Sequence, residues 1–425
     1  MEHAATKLFN KNFIMLVIGQ IVSLFGNAIL RFALPMYIYI GSASPELFGR
    51  VQALAVIPMI VISPFGGVLA DRVNKKRLIV FLDFFIAIVS FIYLWTIGSL
   101  SIVPVTIVML MILIATNGMM GSATDSSFPL IVPADQLVRS NSITMAINTL
   151  ATMLGPMLGG ILLVEFGLTS LLVVGGICFA LAATMEMFIR IPRVKQKLSK
   201  SIIKLIAGDI KAGVLFVVKE QPTIGKFLLT VMAMQLVASS FVFIGIPVLV
   251  IQNLDMNERM AGIAMGFIGA GGIVGGVLSS ILGKRVRIQK NHWMIFFAGL
   301  CFIPLGLAFY LSFNTAAAFI TIAAMMFIAM GFATVFTIQI LTYTQRVTPP
   351  ELLGKVMALV ITATVLAQPL GNWIYGILFE RFVEESWLII FPAAFLTVII
   401  ALCVRGYFKK IPAEQKTKFH DETRD

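Results

Sequence analysis

Two stretches of this chain repeat one another: GGVLADRVNKKR at residues 66–77 and GGVLSSILGKRV at residues 275–286. They align without a gap at an offset of 209 residues, close to half of the 425-residue chain. In each copy a glycine-rich apolar run ends in a basic cluster, but only the first copy carries an Asp-Arg pair, at Asp71 and Arg72. The repeat predicts a duplicated architecture with one specialised half.

The composition predicts a membrane protein. Hydrophobic residues make up 59% of the chain and charged residues 12%, whereas a soluble domain is about 25% charged. Apolar runs such as Val103–Ala123 reach the roughly 20 residues that a helix needs to cross a bilayer. Because no water satisfies the backbone there, helices are expected. The sequence therefore predicts an all-α polytopic membrane protein.

We count twelve spans and divide them into two bundles of six. Residues 1–190 form the N-terminal bundle, 191–222 a cytoplasmic linker, 223–408 the C-terminal bundle and 409–425 a cytoplasmic tail. The predicted spans are 12–38, 46–70, 78–98, 103–128, 141–164, 168–190, 223–251, 260–282, 292–312, 315–343, 355–379 and 386–408.

The basic residues predict the orientation, since Lys and Arg beside spans stay in the cytoplasm. With both termini inside, 28 of the 32 basic residues are cytoplasmic, and Arg50, Arg259 and Arg381 fall outside. The net charge of +12 therefore reflects topology, and nucleic-acid binding is not expected. We expect a multi-pass protein of the inner membrane without a cleavable signal peptide, because the first apolar stretch is too long for one.

The reactive residue types argue against a metal site or an enzyme. Cys178, Cys301 and Cys403 lie singly in separate spans, and the chain has three histidines. This pattern suggests neither a disulfide framework nor a metal cluster. No GxxxxGK[ST] phosphate loop and no catalytic triad is visible in the sequence. We expect no cofactor.

The linker carries a helical pattern. Apolar residues recur at helical spacing among lysines, which predicts an amphipathic helix on the inner membrane surface. A site for a regulatory partner is the alternative. The apolar positions are Ile202, Leu205, Ile206, Ile210 and Val214.

A second repeat supports the duplication. PADQLVR at Pro133–Arg139 lies between spans four and five, and PPELLGK at Pro349–Lys355 lies between spans ten and eleven. Each places an acid in the first turn of the helix that follows, where the helix dipole favours it. Parallel six-helix halves are the arrangement of major facilitator transporters.

The first repeat copy resembles the signature between helices two and three of the major facilitator superfamily. The matching residues are Gly67, Asp71, Arg72, Asn74, Lys76 and Arg77. Asn74 stands where the family has a second glycine. Since asparagine tolerates a left-handed backbone, we expect the turn to be kept.

Span five resembles the antiporter motif of the drug-export branches of this superfamily. The motif residues are Gly155, Pro156, Gly159 and Gly160. A proline inside a helix kinks it, and glycines let a neighbouring helix approach. In the family that neighbour is span eight, which here carries Gly262 and Gly266. The alternative is that such pairs are simply common in membrane helices.

The full layout is similar to bacterial macrolide-efflux proteins and related siderophore exporters, most clearly in FPLIVPADQLVRSNS at 128–142, IRIPR at 189–193 and PPELLGKVMALVITATVLAQPLG at 349–371. The resemblance implies a monomeric secondary transporter that exports an amphipathic, macrolide-like molecule in antiport with protons. Siderophore export, lysolipid flipping and nutrient uptake are alternatives on the same fold. A non-transporting membrane sensor is an alternative of a different class.

The resemblance also implies a conformational latch. In the family pattern, Asp71 faces the start of span eleven near Lys355, and Arg72 pairs with an acid at the inner end of span four. Asp125 is the available acid. Such contacts hold the outward-open state, and one set suffices for the molecule. Alternatively, these residues only anchor a loop at the membrane surface.

Ionisable groups inside membrane spans are energetically costly, so we treat them as candidate functional residues. Asp83 lies about 9 Å into span three, and Asp83 and Asp125 are our candidates for the proton carrier. Glu186 precedes Arg190 by four residues, an ion-pair spacing, so we expect it to be structural.

Polar residues within spans are candidates for a substrate cavity. Arg31 lies in the outer part of span one, where it either binds a polar part of the cargo or extends to the outer surface. Neutral amides and 23 methionines suit a large amphipathic ligand. The cavity candidates are Asn27, Arg31, Asn117, Asn148, Gln235, Gln339, Gln368 and Asn372.

Overall fold

The computed structural model describes residues 10–72, 74–97, 101–191, 202–282 and 287–411, without the side chains of residues 61, 63–72, 134, 138, 202–207, 282 and 350. Within these ranges the regular structure is helical throughout and contains no β-strand. The all-α prediction is confirmed.

The chain divides into two compact units, Met1–Ile206 with Met256–Gly266, and Ala207–Asp255 with Phe267–Asp425. We call them unit 1 and unit 2. The helices of unit 1 are α1 Lys11–Ser42, α2 Pro45–Arg72, α3 Lys75–Thr96, α4 Ile102–Asp125, α5 Phe128–Ile131 and α6 Leu137–Glu186. Two helices run from one unit into the other, namely α7 Ile202–Leu215 and α10 Glu258–Leu282.

Unit 2 begins with a span in which α-helical and π-helical segments alternate. These are α8 Pro222–Met234, the π-helical segments Gln235–Ser239, Phe241–Gly245 and Leu249–Asn253, and the short α9 Ile246–Val248. A further π-helical segment, Phe216–Glu220, follows α7. The remaining α-helices are α11 His292–Leu300, α12 Phe302–Tyr310, α13 Thr315–Val347, α14 Pro350–Leu366, α15 Gln368–Phe382 and α16 Trp387–Lys409.

In the described part of the chain, ten helical stretches are long and apolar enough to cross a membrane. One of them, Arg139–Glu186, is 48 residues long and contains Gly167, whose backbone angles (φ 70°, ψ 168°) are not helical. Gly167 lies between the fifth and sixth predicted spans. Divided at Gly167, this stretch provides two spans, so the ten stretches provide eleven. The 28-residue α2 is long enough to be the twelfth, which agrees with the predicted number of spans.

The turn between α2 and α3 differs from our expectation at Asn74. This residue is not left-handed: its φ is −63° and its ψ is 106°. Instead it caps α3, because its side chain accepts a hydrogen bond of 3.2 Å from the Arg77 backbone N–H. An N-cap residue needs an extended backbone, so the asparagine that replaces the glycine of the family pattern serves the helix start.

The helices of unit 1 pack around α1, which lies against α6 and α4. Phe13 and Leu16 of α1 are buried with Leu82 of α3 and Phe128 of α5. Asn10 joins the start of α1 to the end of α5, since its amide nitrogen donates to the Ile131 carbonyl at 2.8 Å. The carbonyl group at the buried end of α5 thereby has a hydrogen-bond partner within the protein.

An aromatic cluster fills the core of unit 2 around the π-helical segment Phe241–Gly245. Phe241 is 0% exposed, and its ring centroid lies 5.1 Å from that of Phe302, 5.7 Å from Tyr375 and 6.0 Å from Phe379. These partners come from α12 and α15. Phe241 therefore fixes the π-helical span against two other helices of the unit.

Within the predicted linker the chain forms α7, and an ion pair joins this helix to the first part of α14. The Lys355 Nζ lies 3.1 Å from Asp209 Oδ1. One turn further along α7, a Cβ atom on Gly213 would lie 3.3 Å from the Lys355 carbonyl oxygen. The side chains of Lys355 and Asp209 are both partly exposed. We therefore expect this surface ion pair to contribute about 0–1 kcal/mol to the free energy of unfolding.

Replacing Phe241 by alanine tests the aromatic cluster. A Phe→Ala change in a water-soluble core costs about 3–5 kcal/mol, and the part due to leaving water is absent in lipid. The lost packing remains, so we expect Phe241→Ala to lower the melting temperature in detergent. Phe243→Ala is the matched control, because Phe243 is 41% exposed two residues away. Equal melting temperatures for the two variants would contradict this account of the core.

Candidate functional site

A buried polar cluster of unit 1 is centred on Asp83 of α3. Asp83 is 0% exposed, and its Oδ1 accepts a hydrogen bond of 2.7 Å from the Ser23 hydroxyl of α1. The same hydroxyl lies 3.5 Å from the Met120 sulfur of α4. Three helices, α1, α3 and α4, therefore meet at the Ser23 hydroxyl.

Glu186, at the end of α6, is the second acid of this cluster. It is 1% exposed, and its carboxyl group interacts with that of Asp83. A Cβ atom on Gly19 of α1 would lie 2.8 Å from Glu186 Oε1. The glutamate side chain therefore occupies space that only a glycine on α1 leaves free.

The expected ion pair between Glu186 and Arg190 is wrong. Both Glu186 oxygens lack a hydrogen-bond partner in the described structure, and Arg190 is exposed. The helical spacing applies within a helix, but α6 ends at Glu186, so the four-residue register is not continued to Arg190. Glu186 instead points inward, against α1 and α3.

The other polar residues of α1 lie in two environments. Asn27 is 4% exposed, and its amide nitrogen donates to the Leu113 carbonyl of α4 at 3.0 Å. Arg31, one turn later, is exposed. On the neighbouring helices, Asn117 is half-buried and Asn148 is exposed. Among these cavity candidates, the structure thus fixes Asn27 between two helices.

The motif of span five lies at a close crossing of α6 and α10. A Cβ atom on Gly160 would lie 2.5 Å from the Glu258 carbonyl oxygen of α10, and one on Gly262 would lie 2.6 Å from the Pro156 carbonyl oxygen. On the same helix, a Cβ atom on Gly159 would lie 3.0 Å from the Ile29 carbonyl oxygen of α1. Side chains at these positions would force the backbones apart.

Pro156 keeps helical backbone angles within α6, and the break in this helix lies at Gly167. Gly155 also faces α1, where an added Cβ atom would collide with the Ala28 side chain. The motif thus lets two helices approach α6 closely: α1 packs at Gly155 and Gly159, and α10 packs at Gly160.

Two cavity candidates of unit 2, Gln235 and Gln368, have their backbone carbonyls at the Ser240 hydroxyl of the π-helical span. The Gln235 amide nitrogen donates to the Thr364 carbonyl of α14 at 2.6 Å. The Ser240 hydroxyl lies 2.8 Å from the Gln235 carbonyl and 3.3 Å from the Gln368 carbonyl. Asn372 is 1% exposed, and Gln339 of α13 is half-buried. Gln235 and Gln368 are therefore brought together.

The residues of the predicted latch are only partly described. The side chains of Gly67, Asp71 and Arg72 lie outside the described residues, so the pairing of Arg72 with Asp125 stays a prediction. Lys76 and Arg77 lie in the first turn of α3. Asp125 is the last residue of α4 and is exposed.

The sequence interpretation missed the role of Ser23 and of Glu186 beside Asp83. The sequence did mark both residues as unusual, because Asp83 and Glu186 are acidic residues within apolar runs. Their sequence separation of 103 residues gave no reason to join them. Only the packing of α6 against α3 and against α1, with the Ser23 hydrogen bond from α1 to Asp83, brings them together.

Comparison with known proteins gives consistent matches over most of the chain. The model of the Major Facilitator Superfamily matches residues 16–372. Macrolide efflux protein A of Streptococcus pyogenes is 22% identical over 402 residues, which cover 92% of this chain and 95% of that protein. An uncharacterised MFS-type transporter of Sinorhizobium fredii is 28% identical over 371 residues, covering 84% and 85% of the two chains.

Among solved structures, a D-xylose–proton symporter superposes with a TM-score of 0.72 at 15% identity, covering 95% of this chain and 98% of that chain. A likeness at this level of identity shows the fold alone. Together with the family match, it confirms the predicted fold class.

Substituting Gly160 by alanine tests the crossing of α6 and α10. The added methyl group meets backbone rather than a flexible side chain, and overpacking of this kind costs about 1–3 kcal/mol. We expect Gly160→Ala to lower the melting temperature in detergent. Gly121→Ala on α4 is the control, because an added Cβ atom there meets nothing within 4 Å. A melting temperature of Gly160→Ala no lower than that of the control would refute the contact.

Proposed function

Because the chain belongs to the Major Facilitator Superfamily, we propose that it exports an amphipathic small molecule by alternating access, in exchange for protons. The family match and the named transporters among its relatives make it a membrane transporter rather than an enzyme. We propose further that it acts as a monomer in the inner membrane with both termini in the cytoplasm, as its basic residues favour.

The observation that carries the export direction is the crossing of α6 and α10. The residues that resemble the antiporter motif approach other helices closely: Gly160 faces Glu258 and Gly262 of α10, and Gly155 and Gly159 face α1. The glycines of the antiporter-like motif therefore also have a physical role, because they allow close helix packing. Relatives named as macrolide efflux proteins, which match along nearly the whole chain, support the same direction.

An amphipathic cargo suits the polar groups of unit 2. Gln235 and Gln368 lie at the meeting of the π-helical span with α14 and α15, and Trp373 of α15 is 48% exposed. Neutral amides beside aromatic and aliphatic side chains can bond a few polar groups while burying apolar surface. A macrolide combines polar substituents with a large apolar ring, so we propose this chemical class.

Proton exchange requires an acid that can be protonated in one state and ionised in another. Of the two candidates from the sequence, Asp83 is enclosed in the helix bundle while Asp125 is exposed at a helix end. Burial makes the charged form of a carboxyl group costly. We therefore favour Asp83 over Asp125 as the carrier.

Alternating access further requires a contact that holds one side shut. We propose that Asp71, Arg72 and Asp125 supply it, with Lys76 and Arg77 beside them at the start of α3. The exposed position of Asp125 at the end of α4 leaves its carboxylate available for an arginine. The second repeat copy has Ser280 at the position of Asp71, so a single latch is proposed.

Transport into inside-out proteoliposomes tests the proposed function. We expect a radiolabelled macrolide to accumulate when the lumen is acidic, because protons then leave as cargo enters. Protein-free vesicles and vesicles without a pH gradient are the controls. Parallel assays with a siderophore and a lysolipid cover the alternatives. Macrolide uptake equal to that of protein-free vesicles would reject this cargo, and uptake indifferent to the gradient would reject proton exchange.

Neutralising Asp71 tests the latch. We expect Asp71→Asn to slow macrolide turnover strongly while leaving the amount of folded protein unchanged, because the closed side is no longer held. Ser280→Ala changes the equivalent position of the second repeat copy and is the matched control. Rates are measured in proteoliposomes at equal protein density. Wild-type turnover by Asp71→Asn would show that these residues do not control the cycle.

A further inference from the structure

Asp83 and Glu186 are the two buried acidic residues in the described part of the chain. They come from α3 and α6, and their carboxyl groups interact with one another. Asp83 Oδ2 and both oxygens of Glu186 have no hydrogen-bond partner in the described structure. Unpartnered oxygens at a buried site are costly, so the pair requires an occupant.

Two ionised carboxylates cannot be stable side by side in this position. Each would lose its hydration, and the two negative charges would repel one another. Carboxyl groups that lie together share a proton for this reason. Glu186 also ends α6, where the partial negative charge of the helix terminus opposes a second negative charge. A single bound proton both removes one charge and supplies a hydrogen bond between the groups.

The four helices around the pair, α1, α3, α4 and α6, carry other charged and titratable groups. Within the described residues, the carboxyl groups interact with each other and with Ser23. Arg31 is eight residues from Ser23, which is about 12 Å along a helix, and Arg77 is six residues from Asp83, or about 9 Å. The remaining groups on these helices are Lys11, Tyr37, Tyr39, Lys75, Lys76, Tyr93, Asp125, Arg139, Glu165 and Cys178.

We propose that Asp83 and Glu186 together form a proton-binding site, held by Ser23, and that this pair carries the coupling proton. Its use in transport rests on the function proposed above, whereas the binding of the proton does not. Glu186 is thereby assigned a role that its spacing to Arg190 did not indicate. The proton adds to a free oxygen of one carboxylate and leaves from the same oxygen, and no other bond changes.

The burial of the pair suggests how binding alternates with release. Asp83 and Glu186 are 0% and 1% exposed, so water does not reach them and the protonated form is favoured. α1 contributes both the Ser23 hydroxyl and the space at Gly19. A displacement of α1 would admit water and remove the hydrogen bond to Asp83. Hydration lowers the cost of the charged form, and the proton would then leave.

Infrared spectroscopy of the purified full chain tests the proton-binding site without any transport substrate. We expect the wild type at neutral pH to show the carbonyl stretch of a protonated carboxylic acid, shifted in D₂O. The double variant Asp83→Asn/Glu186→Gln should lose this band. Glu165→Gln is the control, because Glu165 is exposed, and it should keep the band. Absence of the band in wild-type protein would overturn the proposal, even if the variants failed to fold.

Uptake and exchange of a radiolabelled macrolide in proteoliposomes test the coupling role. We expect each single variant, Asp83→Asn and Glu186→Gln, to lose accumulation driven by a pH gradient while retaining exchange of labelled for unlabelled macrolide. Gradient-driven accumulation at the wild-type level in both variants would overturn the role. So would accumulation by the wild type that follows a sodium gradient at constant pH. If the wild type moves no macrolide, the proposed cargo fails, and the infrared result still decides the proton site.

Discussion

Inside a lipid bilayer no water is available to hydrate a charge or to complete a hydrogen bond, and the polar interior of this protein is arranged under that constraint. Asn27 donates to a carbonyl of α4, Gln235 to a carbonyl of α14, and Ser23 to Asp83. The constraint is most severe where Asp83 and Glu186 lie together, since neither meets a positive charge among the described residues. A group that is costly in one protonation state can be used to drive a change of conformation, which is why this pair lies at the centre of the proposed mechanism.

The two contacts that matter most in unit 1 share α1. On one side α1 receives Glu186 at Gly19, and on the other it meets Gly155 and Gly159 of α6 through Ala28 and Ile29. The same α6 residues continue to Gly160, which contacts α10. A shift of α1 would therefore be felt both at the acidic pair and at the crossing of α6 and α10. Such a shared element gives a physical route by which protonation can bias the conformation of the bundle.

Much of the fold could be predicted from the sequence, because helices in lipid are long, apolar and bounded by charges. The second predicted span agrees with α2, and Gly167 falls between the fifth and sixth. Local detail was less accessible: Asn74 was expected to be left-handed, but its side chain caps α3. The prediction for Glu186, a residue of the acidic site, was limited in the same way. Spacing indicates which residues share one helix face, but it does not indicate which distant helix packs against that face, and here that packing places Glu186 beside Asp83.

The central claim is that the Asp83–Glu186 pair gives up its proton in exchange for cargo, and proton release on cargo binding tests it most directly. A macrolide is added to the purified protein in weakly buffered detergent while the pH and the binding of the macrolide are recorded together. The account predicts acidification that saturates with macrolide binding in the wild type, and binding without acidification in Asp83→Asn/Glu186→Gln. Saturable binding to the wild type with no change in pH would contradict it.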